Sequence, residues 1–172
     1  MKKLFSTPVL AFAVLLTLAS CGGKESNTQS TETVTEELYP EPVVAEEPTS
    51  NELHIESNDQ MQYTTTELKA TTGKITLTLQ HIGKMEKTVM GHNLVILQPG
   101  TDPAAFALKA ADAKDSGYIP ASENASIIAH TKLIGGGESD TIEFTITEKG
   151  TYDFICSFPG HYAMMKGKLI VE

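Results

Sequence analysis

Beyond residue 52 the chain alternates between apolar and polar positions over most of its length. Ile75, Leu77 and Leu79 are separated by Thr76 and Thr78, and Ile142, Phe144 and Ile146 by Glu143 and Thr145. Successive side chains on a strand point to opposite faces, so each run predicts a strand with one face in a core. Leu53 with Ile55, Tyr152 with Phe154 and Cys156, and Leu169 with Val171 read the same way, and Leu94 to Leu97 is a short apolar run. Pro103 to Lys114 breaks the pattern, with Ala104, Ala105, Phe106, Ala107, Leu108, Ala110 and Ala111 in close succession. Thr101 or Asp102 can cap this stretch and Pro103 suits its first turn, so it predicts a helix. Many short strands with polar turns and one helix predict an all-β fold, a β-sandwich with one inserted helical flap. No internal repeat is visible.

The first fifty residues follow different rules. Met1-Lys2-Lys3 is a short basic start, and Leu4 to Ala19 is mostly apolar. That stretch is shorter than the roughly 18–20 residues a membrane-spanning helix needs and reads as a signal-peptide core. It ends in Leu18-Ala19-Ser20-Cys21, which resembles the lipobox of bacterial lipoproteins. The resemblance implies that residues 1–20 are removed and that Cys21 carries lipid. An ordinary signal peptide cut nearby, with Cys21 an incidental thiol, is the alternative. Residues 21–50 are rich in Thr, Ser, Pro and Glu, with seven glutamates against Lys24. Such a segment cannot bury enough apolar surface to offset its ordering entropy and is expected to be a disordered acidic tether. Residues 51–172 remain, enough for one domain with its own core.

Charge and cysteine count narrow the chemistry. The formal net charge is −9, and the folded part carries no arginine and no basic stripe, which excludes a nucleic-acid footprint. The only cysteines are Cys21 and Cys156. If Cys21 is lipidated, Cys156 is an unpaired thiol in an exported protein, which suggests that it is kept for chemistry. Cys156 is followed by His161 and Met165, with Phe158-Pro159-Gly160 forcing a turn between them. Thiolate, imidazole and thioether together suit copper, and Met90-Gly91-His92-Asn93 offers a further imidazole. Two histidines and one cysteine with a weak axial methionine form the blue-copper set. All strong positions are then filled by protein, which favours electron transfer over bond-making chemistry.

These motifs resemble azurin. Ser57 to Gln62, Met90 to Asn93, Ala129 to Gly135, and Cys156-x-Phe158-Pro159-Gly160-His161-x3-Met165-x-Gly167 occur in azurin order across 51–172. The resemblance implies a Greek-key cupredoxin sandwich holding one Cu(I)/Cu(II) ion and acting as an electron carrier, not an enzyme. It implies ligation by His92, Cys156 and His161, with Met165 a distant axial contact and the Gly91 carbonyl opposite. Asn93 is expected to join the ligand loops near the Cys156 sulfur, with Phe158 beside the site. Met61, Met85, Met90, Pro159, Ala163 and Met164 are expected to ring an exposed His161 edge as a docking patch, although some of these methionines read equally well as core filling.

Expected partners are a c-type cytochrome, a terminal oxidase, a peroxidase or a nitrite reductase. The expected location is the bacterial cell envelope, lipid-anchored to the outer membrane, with the domain in the periplasm or at the cell surface. His81 matches a partly buried structural histidine of azurins and His130 a surface one, while His54 carries no signal. Two features depart from azurins: the disulfide expected near Asn51 and Lys74 has no cysteines, and Leu94 stands where some azurins have tryptophan. Two other functions remain open on sequence. One is a Cys–His enzyme using Cys156 as nucleophile with His161 or His92 as base; the other is a copper-storage or copper-delivery protein.

Overall fold

A computed structural model describes residues 50–172. The expected signal peptide, Cys21 and the tether up to residue 49 lie outside the described residues. The alternating segments form the strands β1 (Glu52–Asn58), β4 (Gly73–His81), β7 (Ser139–Ile146), β8 (Gly150–Ile155) and β9 (Lys166–Val171). The apolar run contributes β5 (Val95–Leu97). Three strands escaped the periodicity: β2 (Gln62–Tyr63), β3 (Glu67–Ala70) and β6 (Ile127–His130). β2 is too short to show an alternation, β3 alternates only over Glu67 to Ala70, and no residue of β6 is fully buried.

The strands make a four-stranded sheet in the order β2-β1-β4-β7 and a five-stranded sheet in the order β3-β9-β8-β5-β6. Both are mixed, because β1 runs parallel to β4 and β3 parallel to β9 while the other pairs are antiparallel. The main core lies between the sheets. Ile55, Ile75, Leu77 and Leu79 meet Ile96, Phe154, Cys156 and Leu169 there, all fully buried. Ile142 sits on the edge strand β7 and is only partly covered, whereas Phe144 and Ile146 on the same face are buried.

A second, smaller core lies on the outer face of the five-stranded sheet. Val95, Leu97 and Ile155 point outward and are covered by Phe106, Ala110, Tyr118 and Ile119. This explains why the β5 run is continuously apolar: the strand is covered on both faces. The covering flap is α2 (Pro103–Ala110), capped by Asp102, whose carboxylate accepts from the Ala104 and Ala105 amides. The helix is shorter than the predicted Pro103 to Lys114. At its end Asp112 and Ala113 bond back to Lys109 and Ala110, three residues away instead of four, and the chain tightens into a 3-10 turn at Lys114–Ser116. A one-turn helix, α1 (Lys87–Met90), precedes the Met90-to-Asn93 motif.

Candidate metal centre

The two predicted ligand segments come together at one end of the sandwich. His92 forms an isolated bridge with Ile134, its amide and carbonyl both bonded to that residue at 2.9 and 2.8 Å. Gly91 lets the chain pass beneath α1: a Cβ there would lie 2.4 Å from the Lys87 carbonyl and 3.1 Å from the Leu133 side chain. Cys156 follows β8, and its amide donates to the Met165 carbonyl at 2.9 Å. Gly160 takes the left-handed φ of +83° that closes the Phe-Pro-Gly turn, and His161–Ala163 then makes one 3-10 turn. The Met165 amide returns to the His161 carbonyl at 2.8 Å. The loop is thus tied at both ends, and the fully buried Met165 immediately precedes β9.

His92, Cys156 and His161 are buried, and their donor atoms converge. His92 Nδ1 is 3.2 Å from His161 Nδ1, and Cys156 Sγ lies 4.0 and 3.8 Å from those two nitrogens. A first-row ion holds imidazole nitrogen at about 2.0–2.1 Å and thiolate sulfur at about 2.3 Å, so donors around one stand roughly 3 to 4 Å apart. The observed triangle fits. The His92 tautomer fits too: Nε2 lies 2.9 Å from the Asn58 carbonyl, which can only accept, so the proton is on Nε2 and Nδ1 offers its lone pair.

Burial pushes both His92 and His161 down to about 4, with the Asn58 carbonyl partly opposing the shift at His92. Both imidazoles are therefore neutral near pH 7, as ligation requires. Burial pushes the Cys156 thiol up to about 11, so without metal it keeps its proton, and metal binding must displace it.

His161 is 3% exposed, less open than the exposed edge expected of it. Among the described residues its Nε2 has no hydrogen-bond partner, and no buried side-chain nitrogen is left unpartnered, so its residual exposure includes Nε2. Phe158 packs against the ring at 4.5 Å between centroids. Pro159, Ala163, Met85 and Met164 are exposed, whereas Met61 and Met90 are only partly so and Met61 packs on the main core. The exposed apolar surface also includes Ile82, Val89 and Leu108, the last 77% exposed. Leu108 lies off the buried face of α2 that Phe106 and Ala110 define.

Asn93 spans the two ligand segments. Its Oδ1 accepts the Ser157 amide at 2.8 Å, and its Nδ2 donates to Ser157 Oγ and to the Gly117 carbonyl. Ser157 Oγ in turn reaches the Tyr118 carbonyl at 2.8 Å. Ser157, Tyr118 and Tyr63, whose hydroxyl donates to the Asn93 carbonyl, are missed by the sequence reading, because each of these contacts has a backbone group or a sequence-distant side chain on one side, which no spacing reveals. His81 is fully buried and stacks on His92 at 4.5 Å between ring centroids. Its Nδ1 accepts the Gly83 amide and its Nε2 faces the Met90 carbonyl, so both nitrogens are satisfied. His130 and His54 are exposed. Leu94 is fully buried.

A sandwich of two mixed sheets whose strand ends gather two imidazoles and a thiol defines the cupredoxin class. The chain belongs to the plastocyanin/azurin family of copper binding proteins, whose family model matches residues 49–172. Azurin-2 of Alcaligenes xylosoxydans xylosoxydans is 42% identical over 127 residues, covering 69% of this chain and 95% of that protein. The outer membrane protein H.8 of Neisseria gonorrhoeae is 40% identical over 119 residues, covering 67% of this chain and 64% of that protein. The structure is similar to that of dithionite-reduced auracyanin from the photosynthetic bacterium Roseiflexus castenholzii, with a TM-score of 0.64 and 37% identity over 72% of this chain and 98% of the other. Members of this family bind one copper ion, and the His92, Cys156 and His161 donors suit it.

Proposed function

We propose that the domain carries single electrons through one copper ion that His92 Nδ1, Cys156 Sγ and His161 Nδ1 would hold, with Met165 sulfur and the Gly91 carbonyl as further, weaker donors. The convergence of two neutral imidazoles and a buried thiol within one small triangle carries this reading. Bound copper supplies a one-electron couple. The protein supplies a fixed donor frame: His92 is locked by Asn58 and Ile134, and the Cys156 loop is locked by Met165 and Asn93. A frame that does not rearrange keeps the structural change on electron gain or loss small. His161 Nε2 is the ligand edge that reaches the surface, and Phe158, Pro159, Ala163 and Met164 beside it form the docking face. A hydrolytic Cys–His reading fits less well, because a nucleophilic cysteine needs a lowered thiol pKa and partial access, and Cys156 has neither.

Residues 1–20 are read as a lipoprotein signal peptide, with lipid on Cys21 and 21–50 as a tether to the outer membrane. The likeness of this chain, over 119 residues, to an outer membrane protein of Neisseria supports that location. Partners are redox proteins of the envelope such as a c-type cytochrome, a terminal oxidase, a peroxidase or a nitrite reductase.

Absorption of the Cu(II)-loaded protein tests the function. An intense visible thiolate-to-copper band is expected, and it is expected to vanish in Cys156→Ser. A colourless Cu(II) protein overturns the reading, and colour persisting in the variant overturns the ligand assignment. Cell fractionation of Cys21→Ser tests the anchor: release from membranes is expected, and continued attachment refutes lipidation.

A further inference from the structure

The two ligand segments are held by groups with evident roles, except at one point. Tyr63 lies on the two-residue strand β2, in the sheet opposite β8. Its ring is buried edge-on to Phe154, 5.6 Å between centroids, and its hydroxyl donates to the Asn93 carbonyl at 2.5 Å. Asn93 is fully buried. The carbonyls on either side of it, of His92 and Leu94, are taken by the Ile134 and Thr131 amides. Among the described residues the phenol is the only partner of the Asn93 carbonyl.

We propose that Tyr63 is a positioning residue for the metal centre, holding the His92–Asn93 segment so that Asn93 keeps Ser157, and with it Cys156, in place. The proposal rests on the ligand assignment given above. Its geometry is that of a clamp. β1 and β2 pair Asn58 with Gln62 and Ser57 with Tyr63. From this one hairpin, the Asn58 carbonyl accepts from His92 Nε2–H and the Tyr63 hydroxyl donates to the Asn93 carbonyl. Adjacent residues of the ligand segment are therefore fixed by adjacent strands of the opposite sheet. From Asn93 the hold passes through Oδ1 to the Ser157 amide, one bond from Cys156. A buried carbonyl without a donor is strongly disfavoured, so loss of the hydroxyl would rotate this peptide toward another partner and carry the Asn93 side chain with it. A redox role for the phenol fits poorly. Losing an electron would require it to lose its proton, and the only acceptor in contact is an amide carbonyl, while burial holds its pKa well above the ordinary value.

Tyr63→Phe tests the proposal, with Tyr152→Phe as a matched control. Tyr152 also donates from a buried ring to a backbone carbonyl, that of Glu148, at 2.8 Å, on a turn away from the donors. Two readouts are needed: the reduction potential of the copper-loaded full chain, and hydrogen exchange of the Ser157 amide in the metal-free protein. Tyr63→Phe is expected to change the Cu(II)-to-Cu(I) ratio at fixed potential at least threefold, about 28 mV at 59 mV per tenfold. It is also expected to speed Ser157 exchange at least tenfold. Tyr152→Phe is expected to move neither, although both variants lower the melting temperature. A Tyr63→Phe protein with wild-type potential and wild-type Ser157 exchange, or equal shifts in the two variants, overturns the proposal. If the wild-type Cu(II) protein is colourless, the electron-carrier reading fails, while Ser157 exchange still decides whether Tyr63 holds the segment.

Discussion

Asn51 and Asn93 use the same chemistry at opposite ends of the β1 strand's length. Asn51, just before β1, donates from Nδ2 to the Lys74 carbonyl at 2.9 Å and accepts from the Thr71 amide and hydroxyl at 2.8 and 3.0 Å. Asn93 joins Gly117 and Ser157 in the same three-way fashion. Asn51 is half-buried, so water can replace its partners, whereas Asn93 is fully buried and water cannot. A side-chain hydrogen bond contributes about 0.5–1.5 kcal/mol where water competes, but stranding a buried group costs about 1–3 kcal/mol. The Asn51 clamp lies where azurins, by the resemblance, carry a disulfide that this chain has no cysteines for, and it links the same two segments without one. The end with the donors is thus held by interactions that fail all at once, and the other end by interactions that yield gradually.

The widest test of this contrast is Asn93→Ala. It strands the buried Ser157 amide and removes the donor to the buried Ser157 Oγ, so a loss of about 3 kcal/mol or more is expected in denaturant unfolding, with a shifted visible band in the copper protein. A loss comparable to that of an exposed site would remove the contrast. Acid is expected to act next. In the metal-free protein His92 and His161 titrate near 4 when folded and near the ordinary 6.5 when unfolded. Between those values the unfolded chain binds more protons, so stability is full above about pH 7 and falls on the order of a few kcal/mol by pH 4. Equilibrium unfolding of the metal-free protein at several pH values checks the sign, and a stability that rises on acidification contradicts the buried, neutral imidazoles. The smallest effect is expected for Asn51→Ala: about 1 kcal/mol in unfolding, with an unchanged visible band. A shift of that band would show that the two ends are coupled.

The alternation of Ile75, Leu77 and Leu79 was enough to place β4 and its inward face, and the continuous run at β5 only made sense once α2 was seen to cover it. The sequence by itself determined the sandwich class, the flap and the ligand segments, because strand periodicity and donor spacing are local properties of the chain. It also pointed to His92, Cys156 and His161 as donors through residue type, motif spacing and the azurin resemblance. Only the tertiary structure decided that His161 is nearly covered, that Met61 packs inward, and that Ser157, Tyr118 and Tyr63 meet the Asn93 segment through hydrogen bonds. The first two depend on which side chains packing brings together, and the third on backbone carbonyls and amides that nearly every residue carries, so which of them meet is fixed by sheet register and loop closure and leaves no mark in the identity of the residues.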